Sequence, residues 1–497
     1  MRIKGIILIL LVVGLFNCSK KQEGITINGK VNSRHPEKVE FTTPIGGKWF
    51  YGNKRSITTD SAGRFQIKMN VDKPSFVTIY VPRKASGILL VEPGKTYDVN
   101  IEPEINQRKF QVISEDSTGQ NFYNTMPAPD FHIWSGLKAF LNDSILSEIP
   151  SKIKEIEKKE ISEFDKLLKN GDISRPFYEL AILDRKSYYL ALEARVAVFF
   201  LKKYFSEKNV YGINVAKDLW GEKFKMLKLN ESDHIRSPWV YALTNNFIHF
   251  NQLISNGFNA EELKRKYGSG DIYKDQILAA EKYLKGNILE YYVSSYIFFN
   301  CWQNKDNSKK LIEAYNYFNK EYPNSSYTNH LTASVQPIID FHNKLADPTI
   351  NKKIKLIENY QHINTFDELV NTLQGKKVFV DIWGTWCGPC KREFQQKNKS
   401  TELFKSKNIT TLYICEGNNS KEKVWKGMIK YYDLEGYHIL TNEMLLADII
   451  DRFGNNGSFT YPRYLLVDES GHVVNKQASY PSKTEQLEKE INESYVW

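Results

Sequence analysis

The sequence predicts a multidomain α+β protein, with an N-terminal antiparallel β-sandwich, a helical middle domain and a C-terminal α/β domain. Three observations carry this prediction. Between about residues 24 and 114 apolar and polar residues alternate; between about 120 and 345 apolar residues recur at three and four; from about 350 to 497 strand-like and helix-like segments take turns. A chain of 497 residues is also longer than one core ordinarily serves.

The first 18 residues, "MRIKGIILILLVVGLFNC", open with Arg2 and Lys4, continue as an apolar run from Gly5 to Phe16 and end at Cys18. A helix needs about 20 apolar residues to cross a bilayer, so this shorter run reads as a signal peptide. Leu15, three positions before Cys18, resembles a bacterial lipobox, which implies acylation of Cys18 and a lipid anchor. A plain secretory signal is the alternative, and both predict an extracytoplasmic protein. The following "SKKQEG" is basic. Surface-exported lipoproteins of some Gram-negative groups resemble each other in an acidic run here, so its absence points to an outer-membrane anchor facing the periplasm.

Composition is that of a globular protein, 41% hydrophobic and 25% charged. The net charge of +10 is spread over segments such as "SKIKEIEKKEISEFDKLLKN", where lysines stand beside glutamates. That pattern is a solvated surface, and no basic stripe interleaved with stacking aromatics predicts a nucleic-acid partner.

In the first domain, "GRFQIKMNV" sets Phe65, Ile67, Met69 and Val71 against Arg64, Gln66, Lys68 and Asn70, a half-buried strand. "DSAG" at 60 to 63, "DKP" at 72 to 74 and "EPGK" at 92 to 95 supply turns. Short strands at this spacing predict the sandwich, which carries no ligand-like cluster and reads as a scaffold or docking domain. The middle domain is read from "YELAILDRKSYYLALEARVAVFFLKKYF" and "DQILAAEKYLKGNILEYYVSSYIFFN", both of helical period, with aromatics that serve packing.

A linker is expected at "LADPTINKK", where Pro348 ends any helix before it. Beyond it "TFDELVNTLQG" opens with a capping box, Thr365 and Glu368, and "KKVFVDIWG" is a buried strand. "PCKREFQQKNKSTELFKSK" predicts one helix, "ITTLYICE" a strand, and "SKEKVWKGMIKYYDL" and "NEMLLADIIDRFG" two helices. "RYLLVDESGHVVNKQ" is a hairpin turning at "DESG", and a last helix follows a second capping box, Ser482 and Glu485.

Chemistry concentrates in "DIWGTWCGPCKREF". A structural zinc site needs four ligands, and Cys18, Cys301 and Cys415 are single while no His-x-x-x-His spacing exists, so no metal is expected. A static staple across so short a loop gains little chain entropy. A redox pair explains each neighbour better. With a helix starting near Pro389, Cys387 lies at its N-terminus, where unpaired N–H groups favour a thiolate, the nucleophile of disulfide exchange. Cys390 sits one turn in. Gly388 permits close approach, and Pro389 needs no N–H in a first turn. Cys301 and Cys415 are expected to be buried and inert, with a mutual disulfide left open.

At these residues the chain is similar to the thioredoxin family, most of all to its TlpA-like and ResA-like branch of membrane-tethered, extracytoplasmic thiol-disulfide oxidoreductases. The resemblance covers roughly residues 350 to 497 and implies a thioredoxin-like fold. It implies that Cys387 attacks, that Cys390 resolves, and that the two form the redox disulfide. Asp381 matches the family's buried proton acceptor and Glu393 the acid that tunes the cysteines in the ResA-like branch; which of them carries the proton stays open. Pro462 in "SFTYPRYLL" matches the family's cis-proline beside the pair, with Tyr461 offering backbone to an extended substrate. Trp386 would be an apolar wall and Trp383 core. Pro462 lies 72 residues past Cys390, which agrees with the inserted element of the TlpA-like branch.

The resemblance further implies protein thiol and disulfide substrates, a membrane redox partner and no dissociable cofactor, and the Gly-Pro pair suggests the reducing side. "TTDSAGRFQIKMNV" and "LLVEPGKTYDVNI" resemble the DUF4369-type sandwich that precedes such domains in periplasmic lipoproteins. A second reading stays open, a binding or scaffold lipoprotein in which the thioredoxin-like unit is ancillary.

Overall fold

The computed structural model of the chain describes residues 24–33, 35–82, 84–102, 109–129, 132–143, 145–231, 233–302, 307–347, 349, 351–417, 422–454 and 459–495. The expected signal segment 1–18 with Cys18, and Pro348 of the expected linker, lie outside them. The chain falls into two compact units, Met1–Phe258 and Asn259–Trp497, so the helical stretch is shared between the two.

The first unit begins with β1 (Gly24–Val31), β2 (Lys38–Thr42), β3 (Lys54–Thr58), β4 (Arg64–Asn70), β5 (Ser75–Val81), β6 (Ala85–Val91), β7 (Thr96–Glu102) and β8 (Lys109–Val112). They form two four-stranded sheets, in the orders β4-β1-β7-β8 and β3-β2-β5-β6. Ile25, Ile27, Phe65, Ile67 and Val99 of the first share one core with Val39, Val77, Ile79 and Leu89 of the second. Here the expected antiparallel arrangement is corrected: β1 pairs with β7 in parallel, Thr26 opposite Thr96. Strands β2 to β6 separate the two in sequence, a connection long enough to bring β7 alongside β1 in the same direction.

Burial explains the difference between strands. β4 alternates strictly, exposed then buried, because one of its faces meets solvent. Six of the seven residues of β6 are buried. Its second face is covered: Ile88 and Leu90 join Tyr123, Phe164 and Phe177 in a separate core. Those residues come from α1 (Ser117–Tyr123), α3 (Ile149–Asn170) and α4 (Arg175–Ser206), with α2 (Trp134–Lys138), α5 (Val210–Lys225) and α6 (Val240–Asn256) completing the helices of this unit.

The second unit opens with α7 (Ala260–Ser269), α8 (Asp271–Tyr283), α9 (Gly286–Trp302), α10 (Lys309–Glu321) and α11 (Thr328–Ala346). Helix α9 is apolar around its whole circumference and buried almost throughout, as such a pattern requires. No helix among the described residues is long and apolar enough to cross a membrane.

The rest of the unit runs β9 (Ile354–Leu356), α12 (Phe366–Asn371), β10 (Lys377–Gly384), α13 (Gly388–Phe394), α14 (Asn398–Ser406), β11 (Ile409–Glu416), α15 (Glu422–Tyr432), β12 (Gly436–Leu440), α16 (Glu443–Phe453), β13 (Arg463–Val467), β14 (Val473–Asn475) and α17 (Thr484–Ser494). The strands make one sheet in the order β14-β13-β10-β11-β12-β9. β10, β11, β12 and β9 are mutually parallel, and β13 runs antiparallel to β10. Central β10 is buried on both faces, hence its apolar run on either side of Asp381. Val378, Val380 and Ile382 face Leu369, Trp425 and Ile449. Phe379 points the other way, to Leu403, Phe404, Leu487 and Ile491.

Three expectations for this region change. The single helix predicted from Pro389 onward is two, α13 and α14, because Phe394 belongs to the first of those cores and Leu403 and Phe404 to the second. Strands β9 and β12 join the sheet although neither was anticipated. The capping box of α12 forms as predicted between Thr365 and Glu368, whereas α17 has Lys483 at its N-cap and no side-chain cap. Ser482, the expected cap, is engaged by Glu393 instead.

Candidate functional site

Strand β10 delivers the chain to a tight turn in which the Cys387 N–H donates to the Gly384 carbonyl at 2.9 Å. Helix α13 then starts at Gly388, with Cys387 as its N-cap and Pro389 in its first turn. Cys387 and Cys390 are joined by a disulfide, their Cα atoms 5.4 Å apart. The Cys390 N–H also points at the Cys387 sulfur, 3.1 Å away. Both cysteines are buried, at 1% and 0% exposure, while Trp386 beside them is 54% exposed. Gly384 makes room for that indole: a Cβ there would stand 2.8 Å from Trp386 Nε1.

The Tyr461–Pro462 peptide is cis, at the entry to β13. Tyr461 meets Trp386 edge to face, ring centroids 5.2 Å apart, and Phe459 packs on Tyr461 at 4.8 Å. The Arg463 guanidinium lies 5.6 Å from the Phe459 ring centre. The structure therefore brings Cys387, Cys390, Trp386 and the Tyr461–Pro462 turn together. Trp383 is wholly buried core, as expected.

Asp381 sits on β10 between Tyr413 of β11 and Tyr464 of β13, its direct cross-strand neighbours. It is 3% exposed, and its Oδ1 has no hydrogen-bond partner. Burial, and after it the negative charge of Glu393, hold its carboxyl well above the ordinary range. Glu393, also 3% exposed, is not a solvated helix residue. Its Oε2 accepts the Ser482 N–H at 2.9 Å and its Oε1 accepts the Ser482 hydroxyl at 3.0 Å. Asp381 and Glu393 open into one cavity of ≈ 310 Å³.

Ser482, expected only as a helix cap, and Phe459 and Arg463 were not anticipated as site residues from the sequence. Ser482 is 89 residues from its partner, and nothing local distinguishes it from a helix cap. Phe459 and Arg463 flank the Tyr-Pro pair directly and could have been read with it. Cys301 and Cys415 are buried thiols, in α9 and β11. Among the described residues no group of three or more His, Cys, Asp or Glu side chains could hold a metal ion.

A mixed sheet with helices on both faces, and a cysteine pair at the start of the helix after its central strand, define a thioredoxin-like domain. Residues 349–492 match the family model described as Redoxin. The chain is 31% identical over 120 residues to a thiol-disulfide oxidoreductase ResA of Bacillus cereus, a match covering 23% of this chain and 62% of that protein. It is 31% identical over 105 residues to ResA of Bacillus subtilis (strain 168), covering 21% and 54%. The chain thus spans less than two thirds of the length of these relatives. Among solved structures, the thioredoxin domain of a thiol-disulfide oxidoreductase from Bacteroides vulgatus is 25% identical, with a TM-score of 0.22, covering 25% of this chain and 84% of that one.

Proposed function

We propose that the protein is a thiol-disulfide oxidoreductase that exchanges disulfides with protein clients outside the cytoplasm. The observation that carries this reading is the Cys387–Cys390 disulfide at the first turn of α13, directly after the strand that carries the buried acid Asp381. In the reduced form the N–H of Cys390 is placed to donate to a Cys387 thiolate, as it now points at that sulfur.

The Cys387 thiolate attacks a client disulfide, forming a mixed disulfide and displacing one client thiolate. The Cys390 sulfur then attacks Cys387, its proton passing to the Asp381–Glu393 acid pair. The Cys387–client bond breaks, the Cys387–Cys390 bond forms, and the second client thiolate leaves. The client gains two electrons and the cysteine pair loses them; a membrane redox partner restores the dithiol. Trp386, Tyr461 and Pro462 form the surface on which an extended client segment lies. The Gly388-Pro389 pair favours the reducing direction.

The signal-like start and Cys18 support a lipid anchor in the outer membrane, facing the periplasm. The shared core of the two N-terminal sheets supports a sandwich that acts as scaffold or docking domain. Turnover tests the central reading: Cys387→Ser abolishes insulin disulfide reduction, and retained activity contradicts it. Cys18→Ala tests the anchor, because it moves the protein from the membrane to the soluble fraction.

A further inference from the structure

Ser482, from the loop ahead of α17, donates to both carboxylate oxygens of Glu393. A neighbour of that residue, Pro481, lines the same cavity as Asp381 and Glu393. A buried carboxylate that accepts an N–H and an O–H is fixed in position, and losing the hydroxyl weakens that hold. Asp381, with an unpartnered oxygen, has no such anchor of its own at Oδ1.

We propose that Ser482 is a positioning residue of the redox site, fixing the Glu393 carboxylate beside Asp381 and so setting the acid pair that handles the proton of the cysteines. This rests on the redox function proposed above.

The aromatic groups facing the pair are uncharged. Tyr413 and Tyr464 are pushed above their ordinary range, by burial first and then by the charge of Asp381, and stay neutral through the working range. His438, stacked on Tyr413 at 4.8 Å, is driven down to about 4 by burial and is neutral there too. At the cavity wall Lys353 and Lys405 turn to Glu435, each at 3.4 Å, and Lys397 donates to the Asp433 carbonyl. Lys355 lies 5.1 Å from the Tyr437 ring centre.

The test is the pH profile of iodoacetamide alkylation at Cys387 and Cys390 in the reduced full-length protein, read by mass spectrometry, with melting temperature recorded for each variant. Ser482→Ala and Ser482→Gly, which keep the N–H and lose the hydroxyl, are expected to lower the midpoint by about half a pH unit. Ser482→Thr keeps the wild-type midpoint. Glu393→Gln lowers it further, and adding Ser482→Ala to Glu393→Gln moves it no more. A profile unmoved in Ser482→Ala and Ser482→Gly, even with a lower melting temperature, overturns the proposal, as does a full shift persisting on Glu393→Gln. If the wild-type cysteines react no faster than a solution thiol, it is the redox reading that fails.

Discussion

Trp386 and Tyr461 stand edge to face, ring centroids 5.2 Å apart at 79°, and so tie the loop that carries the cysteines to the turn that carries Pro462. The pair is local to neither segment, and Trp386 keeps half its surface in solvent. An aromatic in that position serves contact with something outside the chain better than it serves the core.

Trp386→Ala is therefore expected to weaken client reduction far more than folding. Losing an aromatic contact of about 0.5–1.5 kcal/mol lowers kcat/KM by roughly 2- to 12-fold, carried mainly by KM. Steady-state insulin reduction and thermal unfolding, measured on the same preparation, separate the two effects.

Asp381 makes a signed prediction about stability. Its carboxyl is raised by burial and by Glu393, so the folded state holds a proton that the unfolded chain releases. Stability from this group is complete below the unfolded carboxyl value and is lost as pH rises from there toward the folded value, by about 1.4 kcal/mol per unit inside that window. Asp381→Asn removes the loss. Denaturant unfolding of the oxidised protein across pH is expected to show the variant gaining on wild type as pH rises. Above the folded value, where Asp381 has given up its proton and can accept one, resolution of the mixed disulfide is expected to be roughly 10²-fold slower in the same variant, the usual worth of a positioned proton acceptor.

His438 acts with the opposite sign. It is fully buried, its Nε2 lies 2.8 Å from the Leu434 carbonyl, and burial drives it down to about 4. Unfolding frees a ring that takes a proton more readily, so stability is complete above the unfolded histidine value and falls as pH drops toward 4. The loss reaches about 3 kcal/mol over that range. His438→Gln is expected to flatten this acid limb in pH-dependent unfolding.

Gly436 opens β12 at φ +144°, and a Cβ there would stand 2.5 Å from the Thr411 carbonyl oxygen of the neighbouring strand. Gly436→Ala meets both strained backbone and a clash with main chain, and is expected to cost about 1–3 kcal/mol in chemical denaturation.

The parts of this molecule legible in the sequence are those fixed by neighbours in the chain. The Cys387 N-cap, the Thr365–Glu368 capping box and the Asp468–Gly471 turn of the β13–β14 hairpin each depend on residues within a few positions. The parts not legible depend on partners far away. Five residues of β12 and three of β9 are too short to show a period and exist as strands because of the sheet edge they extend. The break between α13 and α14 needs two cores, and the parallel β1–β7 pairing needs a path through the other sheet. Ser482 looks like a cap by local rule, yet its donors go to a carboxylate 89 residues earlier. For Asp381 and Glu393 the sequence supplied the residue types, while burial and the contact with Ser482 supply their chemistry.

The most direct test of the central claim is a redox titration of the full-length protein against glutathione, with quenching by alkylation and counting of modified cysteines at 387 and 390. One reversible two-electron transition is expected, with Cys387 in the reduced form alkylated at neutral pH faster than a solution thiol of pKa about 8.5. A pair that does not open and close reversibly, or a Cys387 no more reactive than that free thiol, would contradict it.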